Sequence, residues 1–192
     1  MILKWNKQFE YPKSVRELIN DKRHYAINDE KLPSVTTILS ATQSEEKQES
    51  LKRWKAKVGE NEAERVKNVA GARGTKMHSI LEGYIEGENV LDLTETGGEA
   101  HRMANTIIDQ GFKDLDEIWG SEATLAYPGL YAGATDLVGI YQGRDSIIDF
   151  KQSNKPKKVE WIEDYKLQGA AYATAHDYMF KTNIEQIVIL MC

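Results

Sequence analysis

Sulfur chemistry is nearly absent from this chain, which has one cysteine, Cys192, among 192 residues. A lone thiol excludes a disulfide scaffold and a multi-thiolate zinc site, and it fits a reducing compartment. Long apolar runs are missing too. The longest, Ile187-Val-Ile-Leu-Met-Cys192, is far too short to cross a bilayer. Met1-Ile-Leu-Lys-Trp-Asn6 lacks the apolar stretch of a signal peptide. These absences predict a soluble, intracellular protein with no membrane partner. Positive charge is also scarce: 25 Lys and Arg against 30 Asp and Glu give a net charge of -5. No whole-molecule basic field therefore draws in nucleic acid, and local arrangement has to decide function. There is no internal repeat. What is present is a 41% hydrophobic composition, enough for a sizeable core in a single domain spanning 1–192.

The two halves differ in texture. Residues 1–120 read mainly as helix and loop. Arg23-His-Tyr-Ala-Ile27 is a candidate short strand, and Ser34 can cap a helix over Val35-Thr-Thr-Ile-Leu39. A charged helix follows Ser44 as far as Val58, with Trp54 on its apolar face and expected in the core, and Gly59 ends it. Another helix starts near Glu60, is expected to break at Gly71-Ala-Arg-Gly74, and resumes from Thr75 to Glu86. Gly97-Gly98 are expected to interrupt the chain before a helix over Glu99 to Gln110. Residues 121–192 change period: strands at Glu122–Tyr127, Leu130–Tyr141 and Ser146–Lys151, a helix from Lys158 to Phe180, and a last strand from Glu185 to Met191. Strand-strand-strand-helix-strand predicts an α+β fold whose mixed central sheet is flanked by helices, with a largely helical N-terminal half. The last strand stops at the final residue, as expected of a chain cut short at its C-terminus.

The residues that carry chemistry sit in the second half. In Ser146-Ile-Ile-Asp149-Phe150-Lys151 the side chains alternate, so Asp149 and Lys151 share a face. A carboxylate and an ammonium on an apolar strand are costly to bury unless paired with each other or used. The preceding strand holds a second acid in Gly133-Ala-Thr-Asp136. If the two strands pair through the turn at Gln142-Gly143-Arg144, the two aspartates become neighbours, and a hard divalent cation relieves their repulsion. Lys151 would then stand beside the cation, where it can position a water or neutralise charge on phosphate. His78 and Glu82 lie one turn apart on a predicted helix, either as a further ligand and its support or as a local contact. Gln168 and Tyr172 are one turn apart on the late helix. They either cover the sheet, or Gln168 holds Lys151 or a phosphate while Tyr172 supports it.

The ordered set Gly74-x-x-x-His78, Glu122, Gly133-x-x-Asp136, Asp149-x-Lys151 and Gln168-x-x-x-Tyr172 resembles the PD-(D/E)XK nucleases. It is most similar to the RecB-type branch, which includes mitochondrial and phage exonucleases, and the likeness runs from about residue 23 to 190. Ser34-Val-Thr-Thr-Ile-Leu39 and Arg73-Gly-Thr75 also look like that exonuclease group. The resemblance implies that His78, Asp136, Asp149 and the Phe150 carbonyl hold one or two Mg2+ or Mn2+ ions, with Lys151 catalytic and Gln168 and Tyr172 beside it. Glu122 and Glu82 are possible additions. Asp149 stands where many relatives have Glu. The implied activity is a metal-dependent DNA exonuclease acting on single- or double-stranded ends in recombination, replication or repair. A recombination or single-strand-binding protein is a candidate partner, and the cytoplasm of a bacterial or phage-infected cell is the expected place. Candidate DNA contacts are Arg73, Thr75, Ser34 and Thr36, together with Lys155, Lys157 and Lys158 just past the Lys151 strand. The alternative is a non-catalytic DNA-end or partner-binding module on a nuclease scaffold.

Overall fold

In the computed structural model, which describes residues 3–192, the chain begins with an antiparallel meander. Its strands β1 (Val15–Ile19), β2 (Lys22–Ile27) and β3 (Glu30–Pro33) pair in chain order. Asn20 and Asp21 turn the first hairpin at φ 51° and 59°. Asn and Asp adopt this left-handed backbone more readily than other residues, because their short polar side chains bond locally. The sequence reading found only the middle strand, so the N-terminal half is less helical than expected.

Helices fill the rest of that half. Ser34 Oγ accepts from Thr37 N at 3.0 Å and starts α1 (Val35–Ala41), and Ser44 caps α2 (Glu45–Val58). Trp54 does not reach the core: it is 38% exposed, and no residue of α2 is buried. α3 (Glu60–Glu86) runs unbroken through Gly71 and Gly74 for 27 residues, about 40 Å at 1.5 Å per residue. A helical glycine costs only about 1 kcal/mol, less than the burial of Met77, Ile80, Leu81 and Ile85 returns. Gly74 also serves packing, since a Cβ there would lie 3.2 Å from Gln152 Nε2. Gly97 and Gly98 fall inside the first turn of α4 (Glu95–Gln110) instead of before it. A Cβ on Gly97 would meet Asp92 at 2.4 Å, and Thr94 Oγ1 caps the Gly97 N–H at 3.1 Å.

The main sheet has the order β4-β5-β6-β7. β4 (Leu115–Tyr127) starts seven residues earlier than its apolar alternation indicated, because irregular pairing near Glu117 and Trp119 disturbs the period. β5 (Tyr131–Tyr141) and β6 (Arg144–Lys151) continue antiparallel, α5 (Glu163–Phe180) crosses over, and β7 (Gln186–Met191) returns parallel to β6. The sheet is mixed, as expected. It is covered on both faces, which is why Leu137-Val138 and Ile147-Ile148 are apolar without alternation. Leu137, Ile148 and Phe150 pack with α3 and α4, while Val138 and Ile147 pack with Tyr172 and Ala175 of α5.

His176 lies fully buried among Phe9, Trp119 and Phe180. Thr182 Oγ1 donates to Asp177, so at 2.7 Å from His176 Nδ1 it must accept. Nε2 is then the acceptor for the Tyr11 hydroxyl at 3.1 Å. Burial lowers the imidazole pKa to about 4, and this bonding pattern also requires the neutral ring.

Candidate active site

Strand register builds the centre of the site. Ser121 pairs with Leu137 and Ala123 with Thr135, so Glu122 of β4 stands opposite Asp136 of β5. Leu137 pairs with Ile148, and one residue further on Asp136 stands opposite Asp149 of β6. Three carboxylates thus lie in a row across three neighbouring strands. Regular pairing of β5 with β6 ends there, and Asp136 Oδ2 accepts directly from Phe150 N at 2.5 Å. In an extended strand a residue's N–H and C=O point the same way, so the Phe150 carbonyl also faces β5.

α3 brings His78 over this row, where its Nδ1 donates to Asp136 Oδ1 at 2.9 Å. Donor atoms of His78, Glu122 and Asp136 all lie within 4.8 Å of one another. Asp149 belongs to the other end of the row. Its Oδ2 is buried without a hydrogen bond of good geometry and answers only the Lys151 ammonium, with which it forms an ion pair. Lys151 Nζ in turn sits 5.1 Å over the Tyr165 ring, a support the sequence gave no sign of. Gln168 Nε2 donates to Tyr172 Oη at 3.2 Å, and the buried Tyr172 ring fits against Gly133, where a Cβ would come within 2.6 Å of it.

The electrostatics follow from this crowding. Desolvation, with Asp136 and Glu82 adding repulsion, pushes the Glu122 carboxyl up to about 7. Burial likewise raises Asp149 against the opposing pull of Lys151. For His78, burial works downward, but the bond and charge of Asp136 outweigh it and the net shift is upward. Glu122 also holds φ 46°, a left-handed backbone that costs a non-glycine residue about 1 kcal/mol or more. Strain and like-charge repulsion both concentrate on the carboxylate row.

A cleft of about 590 Å³ opens over these groups. It brings together His78, Glu82, Glu122, Asp136, Asp149, Lys151, Gln168 and Tyr172, with Ser34, Thr36 and Thr75 on its walls. The remaining expected DNA contacts lie elsewhere. Arg73 points into the protein, donating to Gln152 Oε1 at 2.6 Å, to Glu99 at 3.3 Å and to Asn154. Lys155, Lys157 and Lys158 are exposed on the loop after β6 and do not line the cleft. The cleft instead recruits Arg16, Arg23 and Tyr25 from the N-terminal meander, which the sequence reading missed because that sheet was not foreseen. Gln152 is a further addition, and its only sequence signal is adjacency to Lys151.

His78, Glu122 and Asp136 bring one imidazole and two carboxylates together as a donor set suited to a divalent cation, with the Asp149–Lys151 ion pair beside it. Among the described residues no helix is long and apolar enough to cross a membrane.

The chain is similar to proteins named mitochondrial genome maintenance exonuclease 1. It is 33% identical to the one from Mus musculus over 171 residues, covering 82% of this chain and 49% of the relative. Those from Homo sapiens and Xenopus tropicalis are 28% and 29% identical over 168 residues, again covering 82% of this chain. The chain spans about half the length of the curated relatives it matches. No protein-family model matches it.

Proposed function

We propose that this chain is a divalent-metal-dependent nuclease domain of the PD-(D/E)XK type that removes nucleotides from DNA ends during recombination, replication or repair. The observation that carries this reading is the convergence of Asp136, Asp149 and Lys151 with His78 in one cleft, through strand register and one helix. The exonuclease names of the relatives support it independently.

His78, Asp136, Asp149 and the Phe150 carbonyl would hold Mg2+ or Mn2+, and Glu122 joins them because its donor atom lies with those of His78 and Asp136. The imidazole favours Mn2+ over Mg2+. Bound there, the cation supplies Lewis-acid activation of water and phosphate. The protein's own groups do the rest. Lys151, held between Asp149 and the Tyr165 ring, places a fixed positive charge where the scissile phosphate gains negative charge. Gln168 and Tyr172 present polar groups at the cleft wall to orient that phosphate, and Ser34, Thr36 and Thr75 offer hydroxyls to its neighbours. Asp136 holds the His78 ring in place.

The test is hydrolysis of end-labelled linear and closed circular DNA, single- and double-stranded, in Mg2+ or Mn2+. Linear DNA should be shortened to mononucleotides or short fragments bearing 5′-phosphates, and Asp136→Ala, Asp149→Ala and Lys151→Ala should each lower the rate by at least about 10³-fold. Full activity in those three variants defeats the assignment. DNA binding without divalent-cation binding in the unaltered protein would instead support the binding-module alternative.

A further inference from the structure

A second cleft adjoins the first. Arg23 and Thr36 line both, so the two meet at these residues, and the second extends along residues of α1 and α3. The main chain builds the junction: the Arg23 carbonyl accepts from Ser34 N and from Thr37 Oγ1, both at 3.0 Å, which clamps β2 onto the start of α1. The Arg23 backbone is thereby fixed at the shared rim. Lys22 and Lys67 line the second cleft with Arg23, and Thr36 and Ser40 add hydroxyls.

What distinguishes this cleft is that several cations line it together. Lys47, Arg73, Lys76 and Lys151 are held by acidic partners, but most Lys and Arg among the described residues are not. Among the described residues, Lys22, Arg23 and Lys67 have none within 4.0 Å, and their charged groups make no hydrogen bond. Asp21 is the sole acid lining their cleft. Beyond α1 on the other side, the groove between α2 and α5 is lined by Glu46, Glu160, Glu163 and Asp164, with Lys47 already paired to Asp164. A polyanion leaving the carboxylate row meets three unpaired cations one way and four acids the other.

We propose that the cleft of Lys22, Arg23 and Lys67 is a backbone-phosphate subsite. It holds the DNA strand next to the nucleotide being cut and directs that strand along α1 and α3, away from α2 and α5. The inference rests on the nuclease reading, and it moves the electrostatic grip on DNA from Lys155, Lys157 and Lys158 to the N-terminal meander.

Binding of a fluorescein-labelled single-stranded oligonucleotide, read by anisotropy in EDTA across a salt series, tests it without relying on activity. The Lys22→Ala/Lys67→Ala pair changes two exposed side chains and should leave the thermal midpoint in place. Affinity should fall about tenfold or more at low salt, and the slope of log K against log salt should lessen by about 1.4, two phosphate contacts on a single strand. The Lys13→Ala/Lys113→Ala pair, which removes equal charge outside these clefts, should leave the slope unchanged. Equal effects of the two pairs, or an unchanged slope in the first, overturn the subsite even if the unaltered protein digests DNA. A lessened slope in the first pair alone upholds the subsite, and if the unaltered protein then hydrolyses nothing in Mg2+ or Mn2+, the nuclease reading fails by itself.

Discussion

Gly133→Ala puts a methyl where the Tyr172 ring already sits. The new Cβ would lie 2.6 Å from Cε1, 2.7 Å from Oη and 3.0 Å from Cζ. Ordinary carbon contacts need about 3.6 Å, so the ring or the strand must give way by roughly 1 Å. Tyr172 is buried and its hydroxyl is held by Gln168, so rotation offers no cheap escape. Overpacking of this kind costs about 2 kcal/mol, which in a domain of this size lowers the thermal midpoint by roughly 4–8 °C. A double-mutant cycle isolates the cause. Tyr172→Ala alone should cost about 3 kcal/mol from the cavity it leaves. In the Tyr172→Ala background, however, Gly133→Ala should be neutral or slightly stabilising, giving a coupling of about -2 kcal/mol. Chemical denaturation of the four proteins measures this directly. Additive costs, agreeing within about 0.5 kcal/mol, would show that the ring does not explain the glycine.

Three further outcomes are expected. His176→Gln should remove a pH dependence: the folded pKa of about 4 lies below the unfolded 6.5, so the unfolded chain binds the proton first and stability is lost as pH falls through that window. Between pH 8 and 4.5 the unaltered protein should lose about 2.5 kcal/mol relative to the variant, and parallel stability curves would refute the assignment. Glu122→Gln in EDTA should stabilise the protein at pH 8 by about 0.5 kcal/mol, the order of one cross-strand like-charge pair, and the gain should fade as pH drops from 7 and vanish below the unfolded value of 4.5, where Glu122 is protonated in both states. A gain that persists unchanged below pH 4.5 would point to strain relief instead of charge. Mn2+ at about 100 times its dissociation constant should stabilise the unaltered protein by about 2.7 kcal/mol in calorimetry, and Asp136→Ala should abolish the shift.

The sheet core was legible in the sequence because its signals are local. Short turns at Pro128-Gly129 and Gln142-Gly143 joined runs of apolar residues, and the spacing alone made Asp136 and Asp149 neighbours. Glu122 was placed less firmly, yet the same arithmetic applied to the β4–β5 turn sets it opposite Asp136. What stayed hidden depends on long-range packing. Nothing near Gly74 announces that Gln152, 78 residues later, needs the space its missing Cβ leaves. Arg73 read as a phosphate contact because its partners Glu99, Gln152 and Asn154 are remote in sequence. Trp54 read as core because helical periodicity shows which face is apolar, not whether another element covers it.

The carboxylate row has a consequence for how this hairpin can vary. Because side chains alternate along a strand, inserting or deleting one residue between Leu137 and Ile148 would turn either Asp136 or Asp149 to the opposite surface of the sheet. The Gln142-Gly143 turn therefore fixes the chain length between the two aspartates. Natural variants of the hairpin should keep twelve positions between the two acids and apolar residues at Leu137, Val138, Ile147 and Ile148, and should differ mainly at its exposed positions.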